Sequence, residues 1–205
     1  MLKFTGLGQH LVVPWKVVVA GAPNAGKSSL VNALAGFPRS IVTPIPGTTR
    51  DAVSTLLAID GWPVELIDTA GIHLAAVGLE KEGIELARAQ IANSDLCLWV
   101  MDVTAPPVQA ESAFLADPVQ VLNVANKVDR LPAWQTETCC PVSALTGEGL
   151  LGLCQQMSQH LCPEAPQAGV AVPFCSEVLA ALQTIDQALV DGKIDSALAN
   201  CNSWL

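Results

Sequence analysis

The segment Gly21-Ala-Pro-Asn-Ala-Gly-Lys-Ser28 fits the phosphate-loop pattern G-x-x-x-x-G-K-[ST] and constrains the fold of this chain most strongly. The apolar run at 17–20 predicts a buried strand before it, and residues 29–35 predict a helix after it. The two glycines permit backbone angles that turn N–H groups toward phosphates, where the helix N-terminus adds positive charge. In this pattern Lys27 reaches the β and γ phosphates and the Ser28 hydroxyl binds Mg²⁺. The alternative is a glycine-rich turn that binds nothing.

Four further motifs follow, and each comes after a predicted strand: Gly47-Thr-Thr-Arg50, Asp68-Thr-Ala-Gly71, Asn126-Lys-Val-Asp129 and Ser143-Ala-Leu145. The Asp129 carboxylate can accept from both N1–H and the exocyclic amine of guanine, a donor pair that adenine lacks. Because open parallel sheets bind ligands beyond the carboxyl ends of their strands, the motifs together predict one GTP site. Its predicted contacts are Asn24, Ala25, Gly26, Lys27, Ser28, Ser29, Thr48, Thr49, Asp68, Gly71, Asn126, Lys127, Asp129, Ser143, Ala144 and Leu145.

Composition is typical of a cytoplasmic globular protein. The 205 residues are 51% hydrophobic, with a mean hydropathy of +0.42, yet the longest apolar run, 96–101, is too short to span a membrane. The N-terminus lacks the features of a signal peptide. Seven cysteines without C-x-x-C spacing predict free thiols in a reducing compartment rather than disulfides or a zinc site.

The charge balance argues against a general nucleic-acid surface. The net charge is −9, from 10 basic and 19 acidic residues. Non-specific affinity for nucleic acid comes mostly from neutralising phosphates with basic side chains. We therefore expect this chain alone not to bind nucleic acid directly.

Alternating strand and helix patterns predict an α/β fold, with helices on both faces of a mostly parallel six-stranded sheet. Residues 53–59 and 64–68, joined by an Asp60-Gly61 turn, predict a hairpin that contributes one antiparallel strand. The remaining predicted strands are 96–102, 119–125 and 138–142, with helices at 80–92, 109–115 and 149–161.

The predicted domains are a nucleotide-binding domain at 1–162, a proline-rich linker at 163–173 and a helical appendage at 174–205. Ser176 is the expected N-cap of the appendage helix and Gly192 its end, with a second short helix suggested by Ile194, Leu198 and Trp204. The first helix carries an apolar face made of Val178, Leu179, Leu182, Ile185 and Leu189. Two alternatives stay open for this face: it folds back on the same domain, or it binds a partner.

The motifs carry a family resemblance. The segments 21–36, Thr43-Pro-Ile-Pro-Gly-Thr-Thr-Arg-Asp51, 68–72 and Glu80-Lys-Glu-Gly-Ile-Glu85 resemble the G domain of the MnmE (TrmE) family, tRNA-modification GTPases related to the Era and EngA group. The resemblance covers roughly residues 15–160 and implies a Ras-like G-domain fold and GTP hydrolysis. In that family the G domain is inserted between parts of a helical domain, which implies that 174–203 is a piece of that domain. The family's folate-binding domain and its terminal Cys-Ile-Gly-Lys have no counterpart in this chain.

The resemblance also implies how the site works. Ser28 and Thr49 would bind Mg²⁺ directly and Asp68 through water. Ile72 stands where Ras-type enzymes carry the glutamine that orients water, so another group must do so. Glu80 matches the family's catalytic glutamate; the alternative is that it only occupies a first helical turn, where acids are common.

The resemblance further implies a K⁺ ion, bound by the Asn24 side chain, the carbonyls of Thr43 and Ile45 and the Thr48 hydroxyl. The alternative for Asn24 is a hydrogen bond within its own loop. A GTP-dependent homodimer through the switch regions would bury the apolar segment 74–79. The implied wider role is in a complex of tRNA-modification proteins. Two function classes stay open: an activated GTPase of the MnmE or the ribosome-assembly type, and a poorly hydrolysing GTP-binding module that docks a partner.

Overall fold

The computed structural model describes residues 4–37, 41–42, 53–69, 88–108, 119–167, 169–170, 172–173, 175–194 and 198. The chain divides into two compact units, Pro14–Pro163 and a smaller one made of Met1–Val13 with Glu164–Leu205. This division differs from the predicted domains, because the first thirteen residues group with the C-terminal part rather than with the nucleotide-binding domain. The proline-rich segment also belongs to the smaller unit.

The larger unit contains a seven-stranded sheet. Its strands are β1 (Trp15–Gly21), β2 (Ile41–Val42), β3 (Val53–Ile59), β4 (Trp62–Asp68), β5 (Leu96–Asp102), β6 (Gln120–Asn126) and β7 (Cys140–Val142), in the order β2-β3-β4-β1-β5-β6-β7. β3 runs antiparallel to both β2 and β4, while every other pair is parallel. The predicted sheet with one antiparallel strand is confirmed, and the two-residue β2 is an addition to the six predicted strands.

Both faces of the sheet are covered. α2 (Lys27–Ala35) and α3 (Leu150–Leu161) pack on one face, where Val17 and Val19 of β1 join the main apolar core. Val18 points the other way, into a second cluster with Ile91 from the helical residues 88–92. Burial on both faces explains why residues 17–20 of β1 and 96–101 of β5 are continuous apolar runs rather than alternating ones.

The carboxyl ends of the central strands meet at one edge. β1 lies between β4 and β5, so the strand order reverses there, and ligands bind at such a switch point in open α/β sheets. Val19 is in register with Asp68, and Asn126 is in register with both Asp102 and Val142. Four of the predicted motifs therefore begin near the same edge.

The smaller unit contains α1 (Thr5–Gln9) and α4 (Ser176–Val190). The N-cap of α4 is Cys175, so the prediction that Ser176 caps this helix is wrong by one residue. Asp191 is the C-cap, and Gly192 follows with φ 71°, the left-handed conformation that ends many helices. Gly8 lies against the chain at Pro173, where a side chain on Gly8 would overlap the Pro173 carbonyl.

The apolar face predicted for α4 is only partly formed. Val178, Leu179, Leu182 and Ile185 are half-buried, but Leu189 is 54% exposed and Ala188 takes the buried position near the helix end. Of the predicted second helix, only Ile194 and Leu198 lie within the described residues. Among the described helices, none is both long enough and apolar enough to cross a bilayer.

Candidate nucleotide site

The phosphate loop connects β1 to α2 through backbone angles that require its glycines. Gly21 has φ 136° and Gly26 has φ 91°. A side chain at Gly21 would overlap the Val100 carbonyl, and one at Gly26 would overlap Nδ2 of Asn126. The loop is therefore packed directly against β5 and against the first residue of the predicted guanine motif.

Lys27 lies inside this loop. Its Nζ donates to the carbonyls of Gly21, at 3.0 Å, and Ala22, at 2.9 Å, and the residue is only 6% exposed. Burial lowers the pKa of Lys27, and the nearby Asp68 carboxylate opposes that shift. A cation held at a helix N-terminus by backbone carbonyls is suited to receive an anion such as a phosphate.

Ser28 and Asp68 meet across the site. The Ser28 hydroxyl donates to Oδ2 of Asp68 at 2.5 Å. The end of β4 is fixed by Thr69, a motif residue that is not among the predicted contacts. Both its amide and its hydroxyl donate to the Val19 carbonyl, at 3.3 and 2.9 Å. A hydroxyl and a carboxylate oxygen side by side are hard donors of the kind that Mg²⁺ prefers, so these residues fit that ion.

Asn126 links the phosphate loop to the following motif. Its Nδ2 donates to the Ala25 carbonyl at 2.9 Å, and its Oδ1 accepts from the Ala144 amide at 3.1 Å. The residue is 1% exposed and its bond to the Ala25 carbonyl is buried, so that bond does not compete with water. One buried amide thus connects three loops that are distant in sequence.

Asp129 and Ser143 form the outer part of the site. The Ser143 hydroxyl donates to Oδ1 of Asp129 at 2.5 Å and accepts from the Thr146 amide at 3.2 Å. Ser143 is fully buried, whereas Asp129 is exposed and Leu145 is 81% exposed. The buried Ser143 hydroxyl therefore orients the accessible Asp129 carboxylate. The exposed apolar side chain of Leu145 follows two residues after Ser143.

Lys127 has a partner that sequence reasoning missed. Its Nζ donates to Oδ2 of Asp102 and to the Asn24 carbonyl. The sequence did indicate that Asp102 lies near the site, because it ends a predicted buried strand and so lies at the edge of the sheet where ligands bind. No motif names that position, so its contact with Lys127 could not be inferred.

The predicted site is only partly within the described residues. Ser29 is there, exposed in the first turn of α2. Outside them lie Thr43, Ile45, Thr48, Thr49, Gly71 and Glu80, together with segment 74–79 and the predicted helix at 109–115. Among the described residues there is no cluster of three or more His, Cys, Asp and Glu side chains of the kind that binds transition metals, and the six cysteines there are free.

The sequence pattern of the 50S ribosome-binding GTPase family matches residues 16–128, more than half of the chain. The chain belongs to this GTPase family. It is also similar to the tRNA modification GTPase MnmE of Thermus thermophilus, with 44% identity over 135 residues, 66% of this chain and 31% of that protein. The MnmE of Rhizobium meliloti is 38% identical over 195 residues, 94% of this chain and 44% of its own length. The chain thus spans less than half the length of these relatives.

Solved structures agree on the fold. The G domain of the T. maritima FeoB iron transporter superposes with a TM-score of 0.51 at 24% identity, covering 71% of this chain and 98% of that one. Translation elongation factor SelB from Methanococcus maripaludis gives 0.53 at 16% identity, covering 75% of this chain and 35% of that one. At such identities the likeness shows the Ras-like fold alone. Family membership and the MnmE-like sequence confirm the predicted resemblance and identify this member of the family as a GTPase that hydrolyses GTP.

Proposed function

We propose that this GTPase uses Mg²⁺ and K⁺ and serves as the G domain of a tRNA-modification system. The observation that carries the proposal is the meeting of Lys27, the Ser28–Asp68 pair and the Asn126 amide at one sheet edge. These groups supply a cation for phosphates, oxygen donors for a metal, and a rigid connection to the loop that would read the base.

In the proposed complex, Lys27 leaves its two loop carbonyls and contacts the β and γ phosphates. Ser28 and Thr49 would hold Mg²⁺ directly and Asp68 through water, and the ion would neutralise charge on those phosphates. The Ser28–Asp68 hydrogen bond supports this assignment because it brings two of these three side chains together. Asp129 would accept from guanine, in the orientation that the Ser143 hydroxyl gives it.

We assign Glu80 as the group that orients the attacking water, since Ile72 cannot do so. Replacing Glu80 with Ala should lower turnover roughly 10²-fold or more while GTP affinity stays nearly unchanged, as expected for loss of a general base. Glu82→Ala, two residues further on, is the matched control. Full activity of the Glu80→Ala protein would remove this assignment.

K⁺ is assigned to Asn24, Thr43, Ile45 and Thr48, where its charge would replace that of an arginine finger. Asn24 is exposed with φ 62°, so its side chain is accessible at the phosphate loop. Turnover should be faster in K⁺ than in Na⁺, and Asn24→Ala should abolish that difference, whereas Asn123→Ala on β6 should not. Equal rates in both ions would rule out the K⁺ site.

We propose that two G domains pair through their switch regions, burying Leu74, Val77 and Leu79 of both copies in the GTP-bound state. Light scattering should detect a dimer with GDP, aluminium fluoride and K⁺, and a monomer with GDP alone. A protein that stays monomeric in both conditions would contradict the pairing.

The tRNA-modification role is proposed because the MnmE proteins similar to this chain are named for it, and its place of action would be the cytosol. A second candidate is ribosome assembly, which the description of the family favours. The net charge of −9 makes a protein partner better suited than RNA in either case. Cosedimentation of the GTP-bound protein with purified 50S subunits would support the second candidate and oppose the first.

A further inference from the structure

Asp102 uses its two carboxylate oxygens for two different contacts. Oδ1 accepts from the amide and the hydroxyl of Thr104, at 2.8 and 2.7 Å, in a local turn that fixes the orientation of the carboxylate. Oδ2 accepts from the Lys127 ammonium at 2.5 Å. The side chains of Asp102 and Lys127 are only 18% and 27% exposed, so the ion pair is largely screened from solvent.

The same ammonium reaches the phosphate loop. Lys127 Nζ donates to the Asn24 carbonyl at 2.9 Å, across a sequence separation of 103 residues. Asn24 and Lys127 have φ 62° and 71°, a left-handed conformation that asparagine tolerates but that is unfavourable for lysine. The Lys127 backbone is therefore held by its surroundings, and the hydrogen bond from its side chain links it to the phosphate loop.

Without Asp102 nothing on β5 would hold the ammonium at the loop. A lysine has a flexible four-carbon stem, and ordering it costs side-chain entropy. A free ammonium would gain hydration by turning outward, and the Asn24 carbonyl would lose its donor. The carboxylate is ionised at neutral pH: burial alone would raise its pKa, but the hydrogen bonds from Lys127 and Thr104 outweigh burial and lower the pKa below its usual value.

The backbone at Asp102 is fixed independently of its carboxylate. Trp134 Nε1 donates to the Asp102 carbonyl at 3.1 Å, and the Val103 amide donates to the Asn126 carbonyl at 3.0 Å. An isosteric change of the side chain should therefore leave the strand end in place, which allows the role of the carboxylate to be tested separately from folding.

We propose that Asp102 is a positioning residue for nucleotide binding, which holds the Lys127 ammonium between the end of β5 and the Asn24 carbonyl. It acts through Lys127 and sets the shape of the phosphate loop, so its loss should speed nucleotide release. The inference rests on the proposed GTP site, because only a bound nucleotide would report the change in the loop.

The test is the dissociation rate of a fluorescent N-methylanthraniloyl GDP, measured by stopped flow. Asp102→Asn should release it roughly tenfold faster than the unchanged protein, the size expected for a lost charge-assisted hydrogen bond. Asp191→Asn, which removes the exposed Asp191–Lys193 pair in the smaller unit, is the matched control and should not change the rate. An Asp102→Asn rate within twofold of the control would overturn the inference.

A double-mutant cycle separates positioning through Lys127 from general damage. In a Lys127→Met background, the further change Asp102→Asn should add less than a twofold increase in release rate, because the ammonium is already absent. A full tenfold effect in that background would show that Asp102 acts by another route and would also overturn the inference. Failure of the unchanged protein to bind GDP at all would instead contradict the proposed function.

Discussion

Asn126→Ala tests the claim that one buried amide holds the nucleotide site together. The change deletes the donor to the Ala25 carbonyl and the acceptor for the Ala144 amide. Leaving a buried polar group without a partner costs about 1–3 kcal/mol, and the partly buried Ala144 amide should cost less than the buried Ala25 carbonyl, so the free energy of unfolding should fall by about 2–4 kcal/mol. For a protein of this size that corresponds to a decrease in Tm of roughly 5–15 °C.

Urea unfolding of the nucleotide-free protein, followed by circular dichroism, measures this change. Asn123→Ala is the matched control, since Asn123 lies on the same strand but is exposed, and it should stay within about 0.5 kcal/mol of the unchanged protein. Asn126→Asp should destabilise at least as much as Asn126→Ala, because it keeps the volume but sets a buried carboxylate oxygen against the Ala25 carbonyl. If Asn126→Asp were as stable as the unchanged protein, the hydrogen-bonding explanation would be refuted.

Three further predictions follow from particular contacts. In the Ser28→Ala protein, the increase in GTP affinity that Mg²⁺ produces should be smaller by tenfold or more, measured by titrating the metal at fixed nucleotide. An unchanged increase would exclude Ser28 as a ligand. Because the folded-state pKa of Asp102 lies below its ordinary 3.8, the stability that its carboxylate contributes is present above pH 3.8 and lost as pH falls through the folded value. The difference in unfolding free energy between the unchanged protein and Asp102→Asn should thus be constant from pH 5 to 8 and shrink in stronger acid. A decrease of this difference near neutral pH would contradict the lowered pKa of Asp102. Burial raises the pKa of Cys97 to about 12, so mass spectrometry of the native protein treated with iodoacetamide at pH 8 should find Cys97 unmodified and the partly exposed Cys139 labelled.

Local patterns predicted most of the sheet because they report burial directly. The strand 96–102 was predicted with its observed bounds, since its uninterrupted apolar residues face cores on both sides. β7 is shorter than predicted: it begins at Cys140, because the Cys139 amide bonds to the Thr136 carbonyl in a turn. Pro141 is tolerated there since β7 is an edge strand and its missing N–H need not pair.

Contacts between distant residues could not be predicted in the same way. The Lys127–Asp102 ion pair joins residues that no motif connects, and it depends on the registration of β5 with β6. The grouping of Met1–Val13 with the C-terminal part likewise depends on packing such as that of Gly8 on Pro173. Each nucleotide motif predicts which ligand group its own loop binds. The hydrogen bonds between loops depend on the strand order and register of the folded sheet, so the motifs do not predict them.

The measurement that tests the central claim most directly is a competition of GTP, ATP and xanthosine triphosphate for the Mg²⁺-loaded protein, read by displacement of fluorescent GDP. The account predicts at least 10³-fold preference for GTP over ATP, because ATP would leave the Asp129 carboxylate without its donor pair. It also predicts that Asp129→Asn shifts preference toward xanthosine triphosphate, whose 2-oxo group accepts from an amide. Equal displacement by GTP and ATP in the unchanged protein would contradict the guanine site.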